Sequence, residues 1–415
     1  MNVLDHFESV AQSYVRTAPV VFDRARGSEL FDENGSRYID FHSAGGSLSY
    51  GHNNARVRSA LLEYMREDRI LQTSDRASVA KRRFVEEFVT TVLRPRNLNY
   101  RMLFTDPANG TSAEVALRLA RRHKKRLNVI AFTNASHGIT EGALSITGKK
   151  PSIYESLDLR SNTVFMPFCD YLGKGVDTIA YLRRFLEDSA SGIDCPAAVI
   201  VETVQVHGGL QVASVEWLRA LDQLCRDLGI LLIVDETTTG CGRTGPYFSF
   251  ERAGVTPDIV LVSNAIAGGL PMSVLLLRHE LDHWRPGEQV GIFQGDNLAF
   301  VAATELLSQW NDGFVHQAAR HGDLLASELA SLSASFPKRP LRVRGVGMVW
   351  ALDFGRPGAA AVVSAWALER GLIVEPARTR DEVLLVQPPL NIEEAVLRDG
   401  LERLKAATSM FLSHS

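Results

Sequence analysis

Ile230-Leu231-Leu232-Ile233-Val234-Asp235-Glu236 decides how this chain folds. Five apolar residues in succession leave no polar face, so the run reads as a strand buried on both sides, as in a parallel sheet. It then ends in two acids. In open parallel sheets ligands bind outside the carboxyl ends of the strands, which puts those acids beside a site. Working outward, further β-rich runs fall at 101–105, 128–132, 163–166, 197–202 and 259–263. Helical patterns at 111–125, 176–189 and 215–228 separate several of them. This alternation predicts an α/β fold, a mostly parallel central sheet with helices on both faces. The strand-end rule then gathers 105–110, 134–138, 202–209, 235–239 and Asn264 on the rim of one site.

Past residue 298 the pattern changes. A long helical stretch at 298–332, broken near Asn311-Asp312-Gly313, precedes strands within 343–354 and 382–386 around a helix at 359–370. The expected organisation is an N-terminal segment 1–45, a large α/β domain 46–297 and a small α+β domain 298–415. A hairpin within 20–41 turning at Asn34-Gly35 is expected to pack with the small domain.

Composition excludes several classes of function. The formal net charge is -3 over 415 residues, so no nucleic-acid or anionic-membrane partner is expected. No apolar stretch reaches the about 20 residues that span a bilayer. Cys169, Cys195, Cys225 and Cys241 lie in unrelated segments without metal-ligand spacing, which reads as reduced thiols in a cytoplasmic protein with no metal site. The first residues, Met1-Asn2-Val3-Leu4-Asp5-His6, lack the basic and apolar regions of a secretion signal.

Taken singly, the rim motifs are modest. Thr111 and Glu114 have capping-box spacing behind Gly110, and a glycine-preceded helix start can bind phosphate, yet an ordinary capped helix is the simpler reading. Asp235 could keep a pyridine nitrogen protonated, although a lone Asp at a strand end is more often a turn former. His137, in Ser136-His137-Gly138, could move protons or be a satisfied structural histidine.

Their order along the chain is more specific. Gly27-Ser28-Glu29-Leu30-Phe31-Asp32, Tyr50-Gly51-His52-Asn53, Val201-Glu202-Thr203-Val204-Gln205, Gly240-Cys241-Gly242-Arg243-Thr244-Gly245 and Gly269-Leu270-Pro271-Met272 carry a resemblance that spans nearly the whole chain. The chain resembles the class III pyridoxal-phosphate (PLP) aminotransferases, and within them the diaminobutyrate–2-oxoglutarate branch of ectoine biosynthesis. The resemblance implies a fold-type I homodimer with active sites across the subunit interface. It also implies a PLP pocket at Asn109, Gly110, Thr111, Ser136, His137, Asp235, Thr238, Asn264 and Ile292.

Several of those positions depart from the family pattern. Asn264 stands where the family has the lysine that forms a Schiff base with PLP, and an amide is not nucleophilic. Ser136 replaces a stacking aromatic, Thr238 a glutamine, and Ile292 a threonine reaching the neighbouring subunit's phosphate. Ala108-Asn109-Gly110 replaces the phosphate loop, and Val206-His207 a Gly-Glu pair. Lys149, Lys150 and Lys174 are nearby substitutes for the amine, but read more simply as exposed loop lysines.

These departures predict an enzyme that has lost lysine-dependent transamination and acts, without a covalent cofactor, on a small amino-acid-like ligand. Asp235, His207, His137, Asn264 and Glu202 are the expected catalytic groups. The alternatives are a lysine-substituted PLP aminotransferase of the diamino acid type, or a non-catalytic subunit paired with a competent aminotransferase.

Overall fold

The computed structural model describes residues 6–9, 20–74, 76–148, 162–339 and 341–414. The chain enters through an antiparallel meander of β1 (Phe22–Arg26), β2 (Glu29–Asp32) and β3 (Arg37–Asp40). The Asp32 carboxylate accepts the N–H groups of Asn34 and Ser36, which closes the turn around Asn34-Gly35. Gly35 sits at φ +86° there, a conformation that favours glycine.

The central sheet follows. β4 (Tyr100–Thr105), β5 (Val129–Phe132), β6 (Thr163–Met166) and β7 (Ala198–Val201) lead to a short hairpin of β8 (Val204–Gln205) and β9 (Gln211–Val212). Then come β10 (Leu231–Asp235), β11 (Ile259–Val262) and β12 (Ser273–Arg278). Seven strands are ordered β4-β12-β11-β10-β7-β5-β6, with the acid-tipped β10 in the middle. The β11-β10-β7-β5-β6 strands run parallel, and β12 is antiparallel to both its neighbours.

Burial explains the unbroken apolar run in β10. Leu232 and Val234 face one core with Trp217 and Leu221, residues of the helix Val215–Leu228. Leu231 and Ile233 face the other, with Ala116, Leu117 and Ala120 of the helix Thr111–Lys124. Each such side chain contributes about 1.5–3 kcal/mol on leaving water, so neither face can be polar.

The C-terminal unit carries β13 (Arg342–Val346), β14 (Val349–Asp353), β15 (Leu372–Ile373), β16 (Glu375–Ala377) and β17 (Arg380–Val386). Four of them form a sheet in the order β13-β14-β17-β16, while β15 pairs in parallel with β3. The N-terminal meander therefore shares a sheet with a C-terminal strand. The long helical stretch is two helices, Asn297–Leu307 and Asp312–Ala334, and Asn311 caps the second by accepting the Phe314 N–H at 3.1 Å. No helix among the described residues is long and apolar enough to cross a membrane.

Candidate active site

Three adjacent strands deliver three buried ionisable groups. Asp235 ends β10, Glu202 follows β7, and His137 lies in the loop after β5. The Asp235 carboxylate lies 2.7 Å from His137 Nδ1, and its other oxygen accepts the Thr237 N–H and hydroxyl at 3.0 and 2.7 Å. Burial alone would lower His137, but the hydrogen bond and charge of Asp235 prevail and raise it. Glu202 accepts the Ser136 N–H at 2.8 Å, and burial pushes its carboxyl up to about 8.

Above this layer is a cavity of about 260 Å³. Among the residues expected from sequence, Asn109, Gly110, Ser136, His137, His207, Thr238 and Asn264 line it. Asp235 and Glu202 are 3% and 4% exposed and lie behind the lining, tied to His137, Thr237 and Ser136. Thr111 opens the adjoining helix, while Ile292 stands on the surface, 64% exposed. Thr237, within the rim segment 235–239, also lines the cavity, while sequence reasoning missed Ser112, Ser263 and Arg378. The first two neighbour residues it had singled out. Arg378 comes from the C-terminal unit, just ahead of a strand the sequence did show.

The helix start differs from its sequence signal. Gly110, at φ +116°, occupies the N-cap position, so Thr111 is already helical and no side chain caps it. Glu114 instead accepts the Gly142 N–H at 2.9 Å, and the expected capping box does not form. Gly110 packs directly on Gly138: a Cβ on Gly138 would overlap Gly110 Cα and sit 2.7 Å from its nitrogen. This backbone contact holds the His137 loop against the helix start, leaving Gly110 and Ser112 to form an uncapped, dipole-positive cavity wall.

Asn264 begins a single turn, Asn264–Ala267, after β11 and sits at φ +50°. Asparagine is among the few residues with a side chain that enter this left-handed region readily. Among the described residues no lysine lines the cavity. Lys174 is exposed, and Lys149 and Lys150 lie outside the described residues.

A strand-end pocket with a buried Asp-His pair, on a mostly parallel sheet with helices on both faces, is the arrangement of a fold-type I aminotransferase. The chain belongs to the class III aminotransferase family, whose model, "Aminotransferase class-III", matches residues 10–408. Among curated proteins it is 47% identical over 408 residues to the diaminobutyrate–2-oxoglutarate transaminase of Wolinella succinogenes, covering 98% of this chain and 96% of that one. It is 44% identical over 417 residues to the Bordetella parapertussis protein of the same name, covering 100% and 96%. The fold matches an S-selective transaminase from Bacillus megaterium with a TM-score of 0.88 at 22% identity, covering 99% and 97%. It also matches an ornithine aminotransferase from Toxoplasma gondii, described with PLP partly occupying its active site, with a TM-score of 0.81 at 26% identity, covering 98% and 93%.

These findings confirm the fold and family and correct the functional expectation. The rim departures alone predict a re-purposed, PLP-independent enzyme without a covalent cofactor. Relatives named as transaminases, 41–47% identical along 97–100% of the chain, point instead to the family's own reaction and to PLP. A handful of rim positions weighs less than the identity shared along the whole chain.

Proposed function

We propose that this chain is a PLP-binding class III aminotransferase of the diaminobutyrate–2-oxoglutarate type, in a form where Asn264 takes the place of the cofactor lysine. The observation that carries this reading is the full-length identity to transaminases of that name. The cavity fits the cofactor in part. The uncapped helix start at Gly110 and Ser112 suits a phosphate, and Asp235 lies beneath the floor, where it can favour a protonated ring nitrogen. PLP, when bound, supplies an electron sink. At 264 the amide can hydrogen-bond but cannot bond covalently, so the cofactor would be held by phosphate and ring contacts alone.

The remaining chemistry falls to the chain's own groups. His137, anchored by Asp235, holds the floor with its Nε2 buried and unpartnered. Burial lowers His207 to about 4, so near neutral pH it is an uncharged imidazole on the cavity wall that can hydrogen-bond a ligand. Exposed Ile292 and Phe293, at 64% and 67%, support a second copy covering this face in a homodimer. The same reading places the protein in the cytoplasm and keeps the division 1–45, 46–297 and 298–415. Equilibrium dialysis against PLP tests it. Saturable, reversible uptake near one PLP per chain supports the reading, and no uptake overturns it.

A further inference from the structure

Two Asn-Gly pairs stand in the sequence, Asn34-Gly35 and Asn109-Gly110. Such a pair is a labile setting for an asparagine amide, because glycine has no Cβ to shield the backbone nitrogen that can attack it. The structure separates the two pairs. Gly35 donates its N–H to the Asp32 carbonyl at 2.9 Å, and the Asp32 carboxylate holds the N–H groups of Asn34 and Ser36, so that turn is pinned. The Gly110 N–H has no hydrogen-bond partner among the described residues. Asn109 is exposed, its side-chain amide is likewise unpartnered among them, and both residues line the cavity. The sequence here is this chain's own, since Ala108-Asn109-Gly110 stands where the resemblance implies a different phosphate loop.

We propose that Asn109 is a self-modification site, where the side-chain amide deamidates and leaves a carboxylate on the cavity wall. The Gly110 nitrogen gives up its proton and attacks Asn109 Cγ. The Cγ–Nδ2 bond breaks, and ammonia leaves with that proton. Water then opens the cyclic imide. Breaking the bond from the Gly110 nitrogen to Cγ gives aspartate; breaking its bond to the Asn109 backbone carbonyl carbon gives isoaspartate. Water is the one co-reactant, and nothing is oxidised or reduced. A carboxylate one residue ahead of the N-cap Gly110 is favoured by the helix dipole, so the fold tolerates it. It also occupies the dipole-positive field that would hold a phosphate, and repels one. That consequence rests on the PLP reading; the modification itself does not.

Peptide mass spectrometry of the folded full-length protein, aged in mildly alkaline buffer without PLP, tests the proposal. The amide-to-acid mass gain is expected at residue 109 well before residue 34, with aspartyl and isoaspartyl peptides resolved by chromatography. No gain at residue 109, or an earlier gain at residue 34, overturns the proposal. Equilibrium dialysis reads the consequence: Asn109→Asp is expected to take up PLP about 10-fold more weakly than Asn109→Ala. Equal uptake by the two variants overturns the link to the phosphate. Absence of uptake by the wild type is a failure of the cofactor reading alone, and the mass readout still decides the modification.

Discussion

Asp235 and His137 stand 2.7 Å apart with side chains 2% and 0% exposed, joined across the intervening strand β7. Two groups from separate strand ends are thereby locked into one floor. Asp235→Asn removes the charge that holds the imidazole proton, so the His137 pKa falls and the fold loses about 1–3 kcal/mol. Urea denaturation and an NMR titration of His137 check both effects. An unchanged His137 titration would show that the pair does not control the imidazole.

Glu202 and His207 carry opposite pH signatures. Burial raises Glu202 from 4.5 to about 8, so its contribution to stability is complete below 4.5 and is lost as pH climbs towards 8. His137, also raised, adds to that high-pH loss. Burial lowers His207 from 6.5 to about 4, so its contribution is complete above 6.5 and is lost as pH falls towards 4. Denaturation midpoints across this range are expected to decline less at high pH in Glu202→Gln and less at low pH in His207→Gln.

The Gly110–Gly138 contact leaves no room for a methyl group. Gly138→Ala is expected to cost about 2–5 kcal/mol, from overlap with Gly110 and from a φ of +134°. Gly192→Ala has nothing within 4 Å of the added Cβ and bears only the conformational penalty, about 1–2 kcal/mol. Comparing the two melting curves separates steric overlap from backbone strain.

Arg243 is completely buried and ties the turn after β10 to distant parts of the chain. It donates to the Met348 and Pro388 carbonyls at 2.9 and 2.6 Å and to Ser49 Oγ at 2.8 Å. A lysine ammonium cannot span three acceptors in this planar arrangement. Arg243→Lys is therefore expected to lose about 2–5 kcal/mol in chemical denaturation.

Much of the architecture was legible because one physical signal, burial on both faces, marks the inner parallel strands. The run 230–235 and the helix Val215–Leu228 lie where periodicity puts them. β12 was not read, since an apolar run such as Ser273–Arg278 says nothing about strand direction. β15 and β16 are two and three residues long, too short for any period. Within the site, strand-end residues were found and Arg378 was not. Its place depends on two hydrogen bonds from Thr379 to the carbonyl of a residue 172 positions earlier, and no local pattern encodes that. The capping box failed because Gly110, free to take a positive φ, claims the N-cap position first.

The central proposal is that residue 264 faces the cofactor in a PLP pocket, with an amide where the family resemblance implies an amine. Borohydride treatment in the presence of PLP, followed by peptide mass spectrometry, tests it most directly on the wild type and on Asn264→Lys. A lysine at φ +50° is strained by about 1–2 kcal/mol, which a fold of this size tolerates. The account expects no fixed pyridoxyl group in wild-type peptides and one on residue 264 in the variant. A fixed group on another lysine of the wild type, or none on residue 264 of a folded variant, would contradict it.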